Sequence, residues 1–330
     1  MLRPERLKDS ALVACNIYVS TASRKVLTPL FVLAQSHPAA LLVHSFVDHT
    51  YNRSSFHWAG LADSIAHVTT LVAQAMLDDR TTTLVSSTTS RCTTTAASTT
   101  TKKNDADDDH QHPSVGMVDH IAVLPLHDDD DDASWVTSTT AKRIGSSLED
   151  QQTVLYYGGA HPEAYSLAHV RRTQTDFFRT KNSSSQGEER AYRTVVVGSP
   201  PFFVENYNIR VQQQQPARDL LRRLRTKDGG QLPHVEALAL RYGNSSCWEV
   251  ACNLTHPEET GVQDVDSVVD AFVQEQHGVV VQERYRVGTT AAQCREAWQQ
   301  TSNSDAERRS YDDNVKQEFE QYFETLESRS

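Results

Sequence analysis

The chain predicts an α/β (α+β) fold of two subdomains. Each is expected to be a mixed β-sheet with helices packed mainly on one face, and a ligand cleft is expected between them. Three observations carry this expectation. A length of 330 residues is long for one hydrophobic core. Apolar runs of strand length alternate with amphipathic stretches of helix length in both halves. Hairpin-like neighbours occur among the strands, so the sheets are mixed rather than wholly parallel. The N-terminal subdomain is placed at residues 1–199 and the C-terminal one at 200–330.

Taken in order, ALVACNIYV (11–19) is a short apolar run bounded by polar residues, a buried strand. Ser23 then caps a helix with Val26, Leu27, Leu30 and Leu33 on its apolar face. AALLVHSFVD (39–48) and SSFHWAG (54–60) are strands. LADSIAHVTTLVAQAMLD (61–78) places Leu61, Ile65, Val68, Val72, Ala75 and Met76 on one helical face. Residues 81–108 are Ser/Thr-rich with an acidic end and are expected to be disordered, because they bury too little surface to offset backbone entropy. HIAVLPL (120–126) is a strand, and the aspartate run at 128–134 is a second expected disordered insert. TVLYYG (153–158) is a strand, and HPEAYSLAHVRRT (161–173) is a helix with Pro162 in its first turn. Strand pattern resumes over 194–211 around a Pro-Pro pair. VEALALRYGNSSCWEVACNL (235–254) is a hairpin, 264–278 a helix ending at glycine, 279–288 a strand and 314–327 a helix.

Composition removes several function classes. The net charge is −11, so nucleic acid finds no global electrostatic footprint, although much of that charge lies in the aspartate runs. No stretch has the roughly 18 to 20 apolar residues of a membrane span, and MLRPERLKDS contains no apolar core of a secretion signal. The five cysteines contain no C-x-x-C pair and read as reduced thiols of an intracellular protein. A cytoplasmic location follows by default.

Chemistry concentrates in DHQHPSVGMVDHIAVLPL (109–126). His110, His112, Asp119, His120 and His127 offer a metal reading, but zinc needs four groups that converge. His112 offers an acid/base reading, since imidazole titrates near neutrality. A polar turn before a strand is the third reading, and the residues alone leave all three open.

Several segments together resemble the formiminotransferase domain family. LVACNIYVSTASRK is similar to its opening strand and turn. DHTYNRSSFHWAG resembles its D-x-T-x-N-R segment, and HQHPSVGMVDHIAVLPL its H-P-R-x-G segment. VLYYGGAHPEAYSLAHVRR resembles its Y-x-Y-G-x-A strand and following helix. FFVENYNIRV and the later hairpin resemble its second subdomain. The order is kept over about residues 10 to 290, closest to the shorter plant-type proteins without a cyclodeaminase domain.

The resemblance implies transfer of a formimino group from N-formimino-L-glutamate to tetrahydrofolate, a co-substrate held between the subdomains. No metal is expected. The partners implied are these small molecules, and a homodimer is allowed for. By position His112 is the implied catalytic histidine. Asn52 and Arg53 match the N-R pair, and Arg53 suits a carboxylate clamp; the alternative is a surface turn. Asp48 is assigned to orienting His112, or to capping a strand end. Gly187 to Arg193 lies where the family contacts folate, and Asn206 and Asn208 keep its N-Y-N pattern. Ser114 stands where the family has arginine, and STAS (20–23) replaces its first turn. An inactive or weakly active folate-binding homologue is therefore a second reading.

Overall fold

The computed structural model describes residues 12–78, 112–126, 131–175, 177, 193–243 and 246–328. They build ten strands and eight helices in two sheets. Residues 81–108 and 128–130 lie outside the described residues.

The first sheet has six strands in the order β2-β3-β1-β4-β6-β5. They are β1 (Leu12–Val19), β2 (Ala40–Asp48), β3 (Arg53–Leu61), β4 (Val118–Pro125), β5 (Thr153–Gly158) and β6 (Thr194–Ser199). The β2–β3, β3–β1 and β1–β4 pairs are antiparallel, whereas β6 lies parallel to both β4 and β5. On one face Ile17, Phe56, Trp58, Ile121, Val123 and Val197 form the main core. Helices α1 (Arg24–Ala34), α2 (Ala62–Leu77) and α3 (Asp131–Ser146) close that core. Their contacts follow the helical period: Val26, Leu27, Leu30 and Phe31 from α1, and Ile65, Val68, Val72 and Met76 from α2.

The second sheet is antiparallel throughout, in the order β10-β7-β9-β8, from β7 (Glu205–Gln212), β8 (Val235–Arg241), β9 (Cys247–Leu254) and β10 (Val281–Val287). Strict alternation sorts its residues. Tyr207, Ile209, Val211, Val250, Cys252 and Leu254 bury against α5 (Gln214–Leu224) and α6 (Val262–Glu275). Asn206, Asn208, Arg210 and Glu249 take the other face. The β8–β9 hairpin turns through Gly243 at φ +64°, a backbone region that favours glycine.

The last two helices, α7 (Ala291–Thr301) and α8 (Asp305–Glu327), return to the first sheet. Val315, Phe319 and Phe323 of α8 join the main core, with the Phe319 ring stacked on Phe31 at 4.3 Å. Cys294 and Ala297 of α7 cover Ala14, Ala59 and Leu124 on the opposite face. No helix among the described residues is long and apolar enough to cross a membrane.

Four local expectations are corrected. The acidic tract expected to stay disordered to residue 134 enters α3 at Asp131, because Val136, Thr140, Ala141 and Ile144 recur at helical spacing and are buried. The helix expected from His161 starts only at Leu167, as α4 (Leu167–Gln174), where the Ser166 hydroxyl accepts from the His169 amide. The final helix begins at Asp305 rather than residue 314, because the Ser304 side chain caps a first turn that lacks an apolar stripe. Helix α5, which the strand-dominated reading of that region passed over, buries Ala217, Leu220 and Leu224.

Candidate functional site

The upper half of the first sheet's second face is polar. Asn16, Tyr18, Ser55 and His57 of β1 and β3, with His120 of β4 and Tyr157 of β5, lie together there, opposite the polar face of the second sheet. The two faces touch through the Tyr18 hydroxyl, which donates to Asn206 Oδ1 at 2.8 Å, and through Tyr242, whose hydroxyl reaches Asp48 Oδ2 at 3.4 Å. A layer of buried polar groups between two sheets is costly unless paired, so such a layer marks a candidate ligand cleft.

A β-bulge builds its centre. Tyr18 pairs with His120 and Val19 with Val118, so Asp119 is the extra residue of β4. Its side chain is fully buried. Oδ1 accepts the Val115 amide at 2.8 Å, while Oδ2 holds Arg53 Nη1 at 2.7 Å and Arg171 Nη2 at 3.1 Å. Burial alone would raise this carboxyl, but Arg53, Arg171 and the Val115 amide outweigh it and hold Asp119 far below the ordinary aspartate range. Arg53 lies over the Tyr18 ring at 4.9 Å and Arg171 over the Phe177 ring at 4.1 Å.

His112 completes this cluster. Its Nδ1 lies 3.2 Å from Arg53 Nη1 and 2.8 Å from the Pro113 carbonyl oxygen. These contacts demand opposite tautomers. Arginine only donates, so its bond needs a bare Nδ1, whereas the carbonyl needs Nδ1–H. In the second tautomer Nε2 keeps a lone pair and can accept a proton. Tyr51 meets the imidazole edge-on at 5.4 Å and Phe177 at 6.3 Å. Burial, then the Arg53 charge, push His112 down to about 3, so the imidazole is neutral in the free site. Gly116 keeps the following turn close to β6, since a Cβ there would lie 2.0 Å from the Thr194 carbonyl oxygen.

The other expected residues separate. The Asp48 carboxylate is engaged elsewhere: it accepts the Tyr51 amide at 2.9 Å and faces Tyr242. Burial raises its carboxyl, partly offset by those bonds and by Arg210. Arg53, not Asp48, is the residue that reaches the imidazole, because it is the Cα partner of Asp48 across the β2–β3 turn and its longer side chain crosses toward β4. Asn52 holds the first turn in place: its Oδ1 accepts the Ala22 amide at 2.9 Å from a backbone at φ +49°. Arg193 is exposed, and its backbone bridges to Gly116. Gly187 lies outside the described residues. Asn206 also donates to Asn253 Oδ1 at 2.6 Å, and Asn208 donates to Glu249 Oε1 at 2.9 Å.

Three participants escaped the sequence reading as site residues, and Asp119 entered it only as a metal ligand. Arg171 comes from α4. Tyr51 joins the two clusters, with its ring edge-on to both His112 and Tyr242. Glu249 is fully buried and takes Tyr285, Arg210 and Asn208; burial raises it to about 7, against the lowering by Tyr285 and Arg210. For Asp119 and Glu249 a signal existed: each is the one carboxylate in a mainly apolar strand, and stays buried there only when paired. Among the described residues no three His, Cys, Asp or Glu side chains converge on a metal position, and His120 instead bonds the Tyr157 hydroxyl at 2.9 Å. His110 and His127 lie outside the described residues.

Comparison with known proteins agrees with the sequence resemblance. A formiminotransferase cyclodeaminase-like protein of Arabidopsis thaliana is 25% identical over 321 residues, spanning 89% of this chain and 98% of that protein. Among solved structures, the periplasmic protease PqqL from Escherichia coli aligns with 94% of this chain and 38% of its own, at 9% identity. Its TM-score of 0.18 establishes no common fold. The family model of the formiminotransferase domain, N-terminal subdomain, matches residues 12–201, from β1 through β6 and more than half of the chain, and the protein belongs to the formiminotransferase family.

Proposed function

We propose that the protein transfers the formimino group of N-formimino-L-glutamate to N5 of tetrahydrofolate in the cleft between its two sheets. The observation that carries this reading is the His112–Arg53–Asp119 cluster, a buried base and a fixed cation at the edge of a polar inter-sheet layer. In the transfer, N5 of the folate attacks the formimino carbon and a tetrahedral intermediate forms. The proton leaves N5, the glutamate nitrogen gains a proton, and the carbon–nitrogen bond to glutamate breaks. His112 is assigned to both proton movements through Nε2, with Nδ1–H held by the Pro113 carbonyl. Arg53, anchored by Asp119, is assigned to holding the donor's charge.

The test mixes the purified protein with tetrahydrofolate and N-formimino-L-glutamate and follows absorbance of the formimino-folate product. Loss of His112 as acid/base should lower the rate at least ~100-fold. A second reading, binding of folate without turnover, is favoured by Ser114, an exposed serine where the family carries arginine. Folate-dependent quenching of protein fluorescence together with no product supports that second reading over the first.

A further inference from the structure

We propose that Arg171 and Arg53 form a carboxylate-binding subsite beside His112, and that it takes a carboxylate of the amino-acid donor. The identity of the donor rests on the transfer reading above; the anion site rests on the cluster itself. Two guanidiniums share one carboxylate. Asp119 spends Oδ1 on the Val115 amide and Oδ2 on both arginines, so it has little left to offer either. The side chains of Arg53 and Arg171 are 14% and 10% exposed, so the surplus positive charge sits in a poorly solvated place.

A second observation points the same way. Arg171 is 8% exposed as a residue, and its Nε is buried with no hydrogen-bond partner among the described residues. Nη2 is already on Asp119, so the guanidinium has been fixed in plane by one anion while another donor stays idle. The Phe177 face backs the same guanidinium at 4.1 Å and excludes water from that side. A buried guanidinium with an unpaired N–H fits a second carboxylate far better than it fits a neutral ligand, because charge-assisted bonds to a carboxylate satisfy the buried N–H and remove the surplus charge together.

The placement has a consequence for His112. The charged groups around its imidazole are Arg53, Asp119 and Arg171, with the Pro113 carbonyl and the Tyr51 and Phe177 rings completing its surroundings. Arg53 touches both His112 and Asp119. A donor carboxylate on the arginines offsets the charge that disfavours the imidazolium. The base then gains proton affinity only once the donor is bound, and by reciprocity the donor binds with proton uptake.

The test uses the full chain, titrated calorimetrically with L-glutamate, in the wild type and in Arg171→Lys. Lysine keeps a charge for Asp119 but loses the Nε–H and the planar fork. The expected result is affinity weakened about 10- to 100-fold in Arg171→Lys, with circular dichroism and tetrahydrofolate binding unchanged, and no binding of L-glutaminamide, in which both carboxyls are amidated. Equal affinity in both proteins, or no binding by the wild type at about 10 mM, overturns the subsite. Should Arg171→Lys not fold, the Nε–H resonance of Arg171 in the 15N-arginine-labelled wild type decides: a shift on adding L-glutamate supports the subsite, and an unmoved resonance overturns it. Formimino transfer with an unchanged donor KM in Arg171→Lys also overturns the subsite while keeping the transfer reading. A wild type that binds L-glutamate through Arg171 yet makes no formimino-folate keeps the subsite and overturns the transfer reading.

Discussion

Asp119→Asn isolates the group on which the cluster depends. The substitution keeps the side-chain shape, and the new Oδ1 can still accept the Val115 amide. It removes the one charge that holds both Arg53 and Arg171. Breaking a buried ion pair by deleting one partner costs roughly 3–5 kcal/mol, because a buried charge is left without compensation. Here each guanidinium keeps a little solvent exposure, which argues for the lower end, about 3 kcal/mol. With a slope of about 3 kcal/mol/M, the urea midpoint should fall by about 1 M at pH 7 with the slope unchanged. The pH dependence gives a separate check. Asp119 has its folded pKa depressed, so its contribution is present above the unfolded value of 3.8 and is lost as pH falls through the folded one. The difference between wild type and variant should therefore be level above about pH 5 and shrink steadily in more acidic solution. A loss under about 1 kcal/mol, or a gap that stays constant down to acid pH, would falsify the claim that this ionised carboxylate holds the two arginines.

Three further outcomes are expected. His112→Ala should lower formimino transfer at least ~100-fold while tetrahydrofolate affinity changes little, since the imidazole is assigned to proton transfer; full activity in a product assay refutes the assignment. Gly116→Ala should destabilise by about 1–3 kcal/mol in urea titrations, because its Cβ would collide with the Thr194 carbonyl; wild-type stability would mean the turn can move away from β6. Glu249 has its folded pKa raised from 4.5 to about 7, so wild-type stability should decline as pH rises across that window, and Glu249→Gln should flatten the decline. An identical pH–stability profile in the variant would show that this carboxyl is not protonated in the folded protein.

The sequence by itself determined the elements whose burial is local and periodic. The strand of ALVACNIYV, the helix of 61–78, the hairpin of 235–254 and the two-sheet α/β class are legible because side chains alternate in strands and recur every three to four residues in helices. The family too was legible, from short segments kept in order. Helix starts fixed by a single serine, at Ser166 and Ser304, were less so, because a cap is one hydrogen bond and not a pattern. Tertiary structure alone decided the site's wiring. Asp48 and Arg53 are neighbours across one turn, yet only Arg53 reaches His112. Asp119 reaches Arg53 because a bulge frees it from the strand register, and Arg171 arrives from a helix 52 residues downstream. Pairing of buried charges is set by which side chains can neutralise one another in space, and distance along the chain carries no information about that.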